Sequence, residues 1–333
     1  MSPRLFFSFY LLITINLCLS DLESEWKNFK LKYNKNYKNP KEDELRKNLF
    51  ANSLKLVREH NSKLKLGENY FEIEINKFSD ITDEEFHNTY LNPQTDNEID
   101  SLKSSSKIKI LQNNTRFNNV PETINWIENG FKNPILHQGK CGSCYTFGAI
   151  AAIEAQYFIK TGKLIQLSHQ EVMDCSKILG NNGCRGGRTN LTLKYALEYG
   201  IGFDINHPYL GKEDICIQTE PRIKINDFYQ IESGNENLLK SIVGTIGPVG
   251  FGFDATLPSF RLYKNGIYYE PLCTNYTMAH AMAIIGYGKE NDHDYWLVRN
   301  SWGKDWGIEG HMKVIRNKNN NCGIATRALY PIL

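Results

Sequence analysis

The residues with the most reactive chemistry stand in the stretch Gln138-Gly139-Lys140-Cys141-Gly142-Ser143-Cys144-Tyr145, immediately before an alanine-rich apolar run over 149–160 that stops at Thr161-Gly162. Such a run predicts a buried helix closed by glycine. Cys144 then falls in the first turn, where the helix N-terminus favours an anion, lowers a thiol's pKa and makes a nucleophile. A thiolate attacking an amide also needs a proton donor for the leaving amine, ordinarily a histidine oriented by a third group. His280 opens the apolar run 281–287, and Asn300 ends the run that begins at Tyr295. If these runs form a hairpin with Tyr287 opposite Tyr295, His280 faces position 302 and Asn300 faces position 282. Both side chains then lie at one end of one strand pair, within reach of each other. An asparagine carbonyl accepting the imidazole N–H would fix the ring's orientation. The chemistry predicted is attack by sulfur on an acyl carbon.

These residues need elements to position them. Trp26, Phe29, Tyr33 and Tyr37 step by three or four and predict one face of a helix. A second stripe, Glu42, Arg46, Phe50, Ser53, Val57 and Asn61, keeps to a narrow arc of a longer helix. Phe71, Ile73 and Ile75 alternate with polar residues, the pattern of a half-buried strand. Thr82 followed by Glu85 predicts a capping box opening a short helix through Tyr90. Periodicity is lost over 92–119, rich in Asn, Ser, Lys and Asp, which reads as an exposed linker open to proteolysis. Ser168 and Glu171 predict another capping box before a helix ending near Cys175. From about residue 222 strands and turns dominate. Helices first and strands later predict an α+β body with two segregated halves.

Composition narrows the classes. The 333 residues are 41% hydrophobic and 23% charged, ordinary globular values. A net charge of +2 gives no reason to expect nucleic acid or an anionic membrane as partner. Arg4 followed by the nearly apolar 5–19, with Cys18 and Ser20 before Asp21, predicts a secretory signal peptide over 1–20; the run is short for the alternative, an anchor helix. Seven cysteines follow it: Cys141, Cys144, Cys175, Cys184, Cys216, Cys273 and Cys322. A secreted chain makes disulfides, and three bridges would leave one thiol over. Sequons stand at Asn113, Asn190 and Asn275.

Blander readings compete. Cys141-x-x-Cys144 is also the spacing of a redox pair, but pairing these two leaves five cysteines, again odd, and no βαβ pattern surrounds them. Half of a zinc site would need a second ligand pair, which the sequence lacks, so no metal is expected. His280 alone would ordinarily be structural, Asn300 a turn residue, and Trp302 and Trp306 plain core. His137, beside Gln138, could touch the same cleft.

Taken together, these residues resemble the papain-like cysteine peptidases, and within them the cathepsin L-like subgroup. Cys-Gly-Ser-Cys-Tyr fits the family's signature around its nucleophile, with His280 and Asn300 lying 136 and 156 residues further on. Met278-Ala279-His280-Ala281 and Asn300-Ser301-Trp302-Gly303 are similar to the family's His and Asn segments, and Cys184-Arg185-Gly186-Gly187 to its substrate-binding turn. The stripe over 42–61 resembles the inhibitory propeptide's first motif, with Ser53 and Val57 as departures. Asn76, Phe78 and Asp80 match its second, with Glu74 where Gly is usual.

The resemblance implies a two-lobed papain-like fold, one lobe helical and one β-barrel-like, preceded by a mainly helical prodomain. The expected division is 1–20 leader, 21–115 propeptide with linker, and 116–333 peptidase. It further implies Cys144 as nucleophile, His280 as ion-pair partner and acid, Asn300 orienting His280, Trp302 shielding that contact, and Gln138 with the Cys144 N–H as oxyanion hole. Gly186 and Gly187 would pair with extended substrate, and Thr189, Gly252, Met278 and Arg327 would line the pocket for the residue two before the scissile bond. The implied disulfides are Cys141–Cys184, Cys175–Cys216 and Cys273–Cys322. The implied protein is a monomeric, cofactor-free endopeptidase, extracellular or endolysosomal. It would act on protein and peptide substrates, be inhibited by its own propeptide and meet cystatin-type inhibitors. The alternative is a catalytically inactive relative that binds peptides in the same cleft. Tyr145 replaces the usual Trp. Arg327 stands where many relatives carry a small residue, and a cation there predicts a pocket that tolerates acidic side chains and disfavours basic ones.

Overall fold

The aromatic stripe near the start builds a small core of its own. A computed structural model describes residues 21–67, 70–92, 108–112 and 117–333; the expected leader, most of the expected linker and Asn113 lie outside them. Residues 21–32 form helix α1, and α2 spans Pro40–Lys65. Asn39 caps α2 by accepting from the Glu42 N–H, and Pro40 occupies the first turn, where no N–H partner is needed. Trp26 and Phe29 of α1 pack on Phe50 of α2, with ring centroids 5.4 and 4.8 Å from it, and Tyr33 and Tyr37 flank them.

The α2 stripe does more than pack. Arg46 makes a two-pronged ion pair with Glu85, at 2.6 and 2.7 Å. Ser53 Oγ donates to the Ser79 carbonyl at 2.8 Å. Asn61 exchanges two hydrogen bonds with the backbone of Ile73. Asp80 accepts from Lys35 and from Tyr37. The stripe therefore ties α2 to β1 (Phe71–Ile73) and to α3 (Asp83–Tyr90). The expected box at the start of α3 is complete: Thr82 accepts from the Glu85 N–H, and the Glu85 carboxylate accepts from the Thr82 N–H.

After α3 follow β2 (Ile110–Leu111), β3 (Ile124–Asn125), α4 (Cys144–Thr161), α5 (His169–Cys175), α6 (Thr189–Glu198), β4 (Ile201–Gly202), β5 (Arg222–Ile223) and β6 (Asp227–Ile231). Then come α7 (Glu236–Thr245), β7 (Val249–Phe253), α8 (Pro258–Arg261), β8 (Tyr263–Tyr268), β9 (His280–Glu290), β10 (His293–Arg299), β11 (His311–Ile315) and β12 (Ala328–Ile332). The strands run in the order β1-β8-β11-β10-β9-β7-β12-β6-β2, with β3 against β9, and β4 pairs β5 apart from them. The mixed architecture is the two-lobed α+β body the sequence predicts: α4 to α6 on one side around Ile150, Ile153, Leu193 and Tyr195, and the large sheet on the other.

Several expectations meet local differences. α4 starts at Cys144 itself and closes on Gly162 in the left-handed region (φ 70°), the conformation glycine tolerates best. At α5 only half of the expected box forms. Ser168 accepts from the Glu171 N–H, but the Glu171 carboxylate turns inward to Arg222, Tyr195 and the Gly202 N–H. A buried carboxylate needs those partners more than the helix end needs a second cap. Inside the expected linker, β2 pairs in parallel with β6. Among the described residues no helix is long and apolar enough to cross a membrane.

The first segment and the main body share structure. β1 joins the large sheet through β8, pairing Phe71 with Gly266 and Ile73 with Tyr263. Phe78 and Phe86 sit edge-on to Trp302, at 5.2 and 5.4 Å. Burying two such rings contributes roughly 3–6 kcal/mol of apolar transfer free energy. Asn76 donates to the Arg261 carbonyl, Asp83 pairs with Arg261, and Lys77 reaches Asp305 and the Trp302 carbonyl.

Candidate active site

Cys144 begins α4, so its side chain stands at the positive end of an 18-residue helix. Backbone groups of Ala281, Tyr145 and Cys144 itself surround the sulfur and favour its thiolate form. Ala281 is the second residue of β9, so the thiol rests against the start of the strand that His280 opens. His280 Nε2 lies 2.8 Å from Asn300 Oδ1. Asn300 follows the last residue of β10.

The hairpin reaches this arrangement by a path the sequence did not disclose. Near the turn Tyr295 pairs with Gly288 and Trp296 with Tyr287, one residue off the expected register. A β-bulge then places Leu297 opposite Gly286 and Val298 opposite Ile284, leaving Ile285 as the extra residue on β9. Arg299 faces Ala283, as the expected pairing required. The bulge re-aims the strand end and brings the two side chains together.

Trp302 covers the contact, its ring 4.7 Å from the His280 ring, and Cys144, His280, Asn300 and Trp302 are all buried. Burial pushes the Cys144 thiol up to about 12, against the three backbone hydrogen bonds that favour the thiolate. Burial likewise brings His280 down to about 4, with the Asn300 contact opposing it. Burial thus favours the neutral form of each group in the precursor.

Gln138 is held at every polar atom of its amide. Its Oε1 accepts from Ser301 Oγ at 2.6 Å and Trp302 Nε1 at 3.1 Å, and its Nε2 donates to the Cys141 carbonyl at 2.8 Å. The same Nε2 donates to the carbonyl of Tyr90, at 2.9 Å. The chain then runs on through the cleft. Asn92 N–H donates to the Ala279 carbonyl, and its carboxamide donates to Gly187 O at 2.6 Å. The sequence reading missed Tyr90 and Asn92, because Tyr90 acts through its carbonyl and Asn92 stands at the edge of a stretch that reads only as linker. It also missed Ser301, whose only signal was its place beside Asn300.

Gly186 has φ 109°, a conformation for which glycine is required. A Cβ on Gly187 would stand 2.6 Å from Asn181 Oδ1 and 2.7 Å from the ring of Tyr145. Both glycines are buried, and the Gly187 carbonyl is the one that Asn92 occupies. A Cβ on Gly252 would lie 2.8 Å from Met278 Sδ, and the Gly252 N–H donates to the Arg327 carbonyl at 3.2 Å. Thr189 comes from the other lobe; a Cβ on Gly250, two residues before Gly252, would be 3.1 Å from its Cγ2. Thr189, Gly252, Met278 and the backbone of Arg327 thus lie about β7. His137 does not enter this set: its Nδ1 accepts from the Gly139 N–H, and its backbone bridges to Trp302.

Disulfides join Cys141–Cys184, Cys175–Cys216 and Cys273–Cys322, and Cys144 is free. Asn275 is exposed in the loop before β9, whereas Asn190 lies in the first turn of α6 with Thr192 of its sequon buried.

Comparison with known proteins meets the same features. Residues 120–332 match the profile described as papain family cysteine protease, and residues 26–86 the cathepsin propeptide inhibitor domain. Cathepsin J of Mus musculus is 39% identical over 317 residues, covering 93% of this chain and 92% of that one. A cathepsin L-like peptidase of Aedes aegypti is 38% identical, with 94% of each chain covered. The solved structure of digestive procathepsin L 3 of the Tenebrio molitor larval midgut superposes with a TM-score of 0.84 at 32% identity, over 94% of this chain and 99% of that one.

Proposed function

The chain belongs to the papain family of cysteine proteases, in its cathepsin L-like branch with an inhibitory propeptide, and from that premise we propose that it is the inactive precursor of an endopeptidase working through a Cys144–His280 pair. The observation that carries the reading is the 2.8 Å contact of His280 with Asn300, with Cys144 buried at the start of α4 as the one free cysteine among the described residues. Asn300 holds the ring by Nε2, and Nδ1, which has no hydrogen-bond partner among the described residues, is left for the sulfur.

The steps follow from these atoms. Once the cleft opens to water, desolvation no longer favours the neutral pair, and the Cys144 proton passes to His280. The thiolate attacks the scissile carbonyl carbon, and the resulting oxyanion takes hydrogen bonds from Gln138 Nε2 and the Cys144 N–H. His280 gives its proton to the amine as the C–N bond breaks, leaving a thioester on Cys144. Water, deprotonated by His280, attacks that thioester; the C–S bond breaks, the acid leaves, and the thiolate–imidazolium pair returns.

In the precursor the carbonyl of Tyr90 sits on Gln138 and Asn92 bridges Ala279 and Gly187, which supports intramolecular inhibition by residues 21–115. Cutting near residue 115 would release 116–333 as the mature enzyme. Its substrates are peptides bound extended along Gly186 and Gly187, like an added strand. The pocket of Thr189, Gly252, Met278 and Arg327 favours acidic or neutral side chains over basic ones. The enzyme acts as a monomer in the secretory pathway, extracellular or endolysosomal, and an open cleft of this kind also suits cystatin-type inhibitors.

The test is hydrolysis of a set of internally quenched peptides by acid-treated precursor and by Cys144→Ser. Cleavage within the peptides by the wild type and none by the variant supports the reading. Binding without cleavage by both supports the inactive peptide-binding relative instead.

A further inference from the structure

The oxyanion site described above has two donors, the side chain of Gln138 and the backbone N–H of Cys144, and they come from different segments. Ser301 and Trp302 hold Gln138 from the β-rich lobe. Tyr209 reaches it from the helical lobe. The Tyr209 hydroxyl donates to the Gln138 carbonyl at 2.8 Å and lies 2.6 Å from Ser143 Oγ. A phenol has one proton and the carbonyl can only accept it, so Ser143 Oγ–H donates to the Tyr209 oxygen. Ser143 immediately precedes Cys144. One hydroxyl thus links the residue that carries one oxyanion donor to the neighbour of the residue that carries the other.

The tyrosine is itself fixed. Its ring stands edge-on to Phe147 at 5.2 Å, and Phe147 stacks on His169 at 4.0 Å. The next residue, Leu210, donates its N–H to Gln170 Oε1 of α5, and Gln170 Nε2 donates to the Lys212 carbonyl. The Cys175–Cys216 bridge closes the same loop onto α5.

We propose that Tyr209 is a positioning residue of the oxyanion hole, setting the separation of the Gln138 and Cys144 donors without touching substrate. Donors of this kind act only within a few tenths of an ångström of the developing oxyanion, so a tether on the main chain of one donor bears on the rate more than on binding. The proposal rests on the peptidase reading.

The experiment compares wild type, Tyr209→Phe, Ser143→Ala, Gln138→Ala and the Tyr209→Phe/Gln138→Ala double variant, each made as full-length precursor and activated by acid. Tyr209→Phe keeps the ring against Phe147 and removes only the two hydrogen bonds. Loss of a whole oxyanion donor costs on the order of 100- to 1,000-fold in kcat, so a loosened donor is expected to cost about 10-fold, with KM unchanged. Ser143→Ala, which breaks one of the two bonds, should lower kcat in the same sense. In the Gln138→Ala background Tyr209→Phe should cost less than 2-fold, because the donor it positions is already gone. An active wild type whose kcat survives Tyr209→Phe overturns the role of Tyr209 alone, as does a Tyr209→Phe loss of equal size with and without Gln138. A wild type without peptidase activity overturns the peptidase reading and this inference with it.

Discussion

Gln138 Nε2 lies 2.9 Å from the carbonyl oxygen of Tyr90. A backbone carbonyl of the precursor's own first segment therefore occupies the amide that the mature enzyme would offer to a substrate's developing oxyanion. Inhibition here combines steric cover with use of the same hydrogen bond.

That segment is held by charges that answer to pH. Arg46 hydrogen-bonds the Glu85 carboxylate and holds it below the ordinary glutamate value, against burial, with Thr82 adding to the effect. A carboxylate with a depressed folded pKa stabilises the fold fully above its unfolded value and loses that contribution as pH falls through the folded one. Acid therefore weakens the Arg46–Glu85 clamp below about pH 4.5, the ordinary value. Glu85→Gln removes the charge at every pH. Its precursor should convert at a higher pH than the wild type, with a shallower pH dependence, as read by gel shift across pH 3–7. Identical conversion profiles would count against the clamp.

Phe50 fills the centre of the prodomain's aromatic core, against Trp26 and Phe29. Phe50→Ala should cost the prodomain about 3–5 kcal/mol, as large-to-small core changes do. A separately added prodomain carrying the change should inhibit the mature enzyme at least 100-fold less well, measured as an inhibition constant. Unchanged inhibition would mean that this core does not support the inhibitory segment.

The Arg327 carbonyl accepts from the Gly252 N–H beside Met278, and on the proposed reading its side chain sets the pocket's selectivity. Arg327→Ala should lower kcat/KM for peptides with Glu two residues before the scissile bond by about tenfold, equal to about 1.4 kcal/mol, and raise it for apolar residues there. A profile unchanged across a peptide library would remove Arg327 from the pocket's selectivity.

Much of this was legible in the residues because side-chain types carried it. His280 and Asn300 could be placed together by strand arithmetic, Cys144 was joined to them by its chemistry, and the α2 stripe announced a face with work to do. The details that escaped are those carried by backbone or by burial. The bulge at Ile285 had one signal, Gly286 beside it within the strand, and the hairpin arithmetic did not use it. Glu171 has the spacing of a cap, but its position beneath Arg222 makes it a buried counter-charge. Tyr90 and Asn92 act through a carbonyl, an N–H and a carboxamide within a stretch whose composition reads only as the edge of a linker. Tyr209 lies 65 residues beyond Cys144, and nothing local links them.

The most direct test of the central claim is the rate at which iodoacetamide alkylates Cys144, measured by peptide mass without reductant, in intact precursor and after acid conversion. Cys144 is fully buried in the precursor and burial favours its neutral thiol, so the precursor should react at least 100-fold more slowly at pH 6. After conversion, label should fall on Cys144 alone as peptidase activity appears, with the other six cysteines protected as disulfides. Equal rates before and after conversion, or label on Cys141 together with Cys144, would contradict the account.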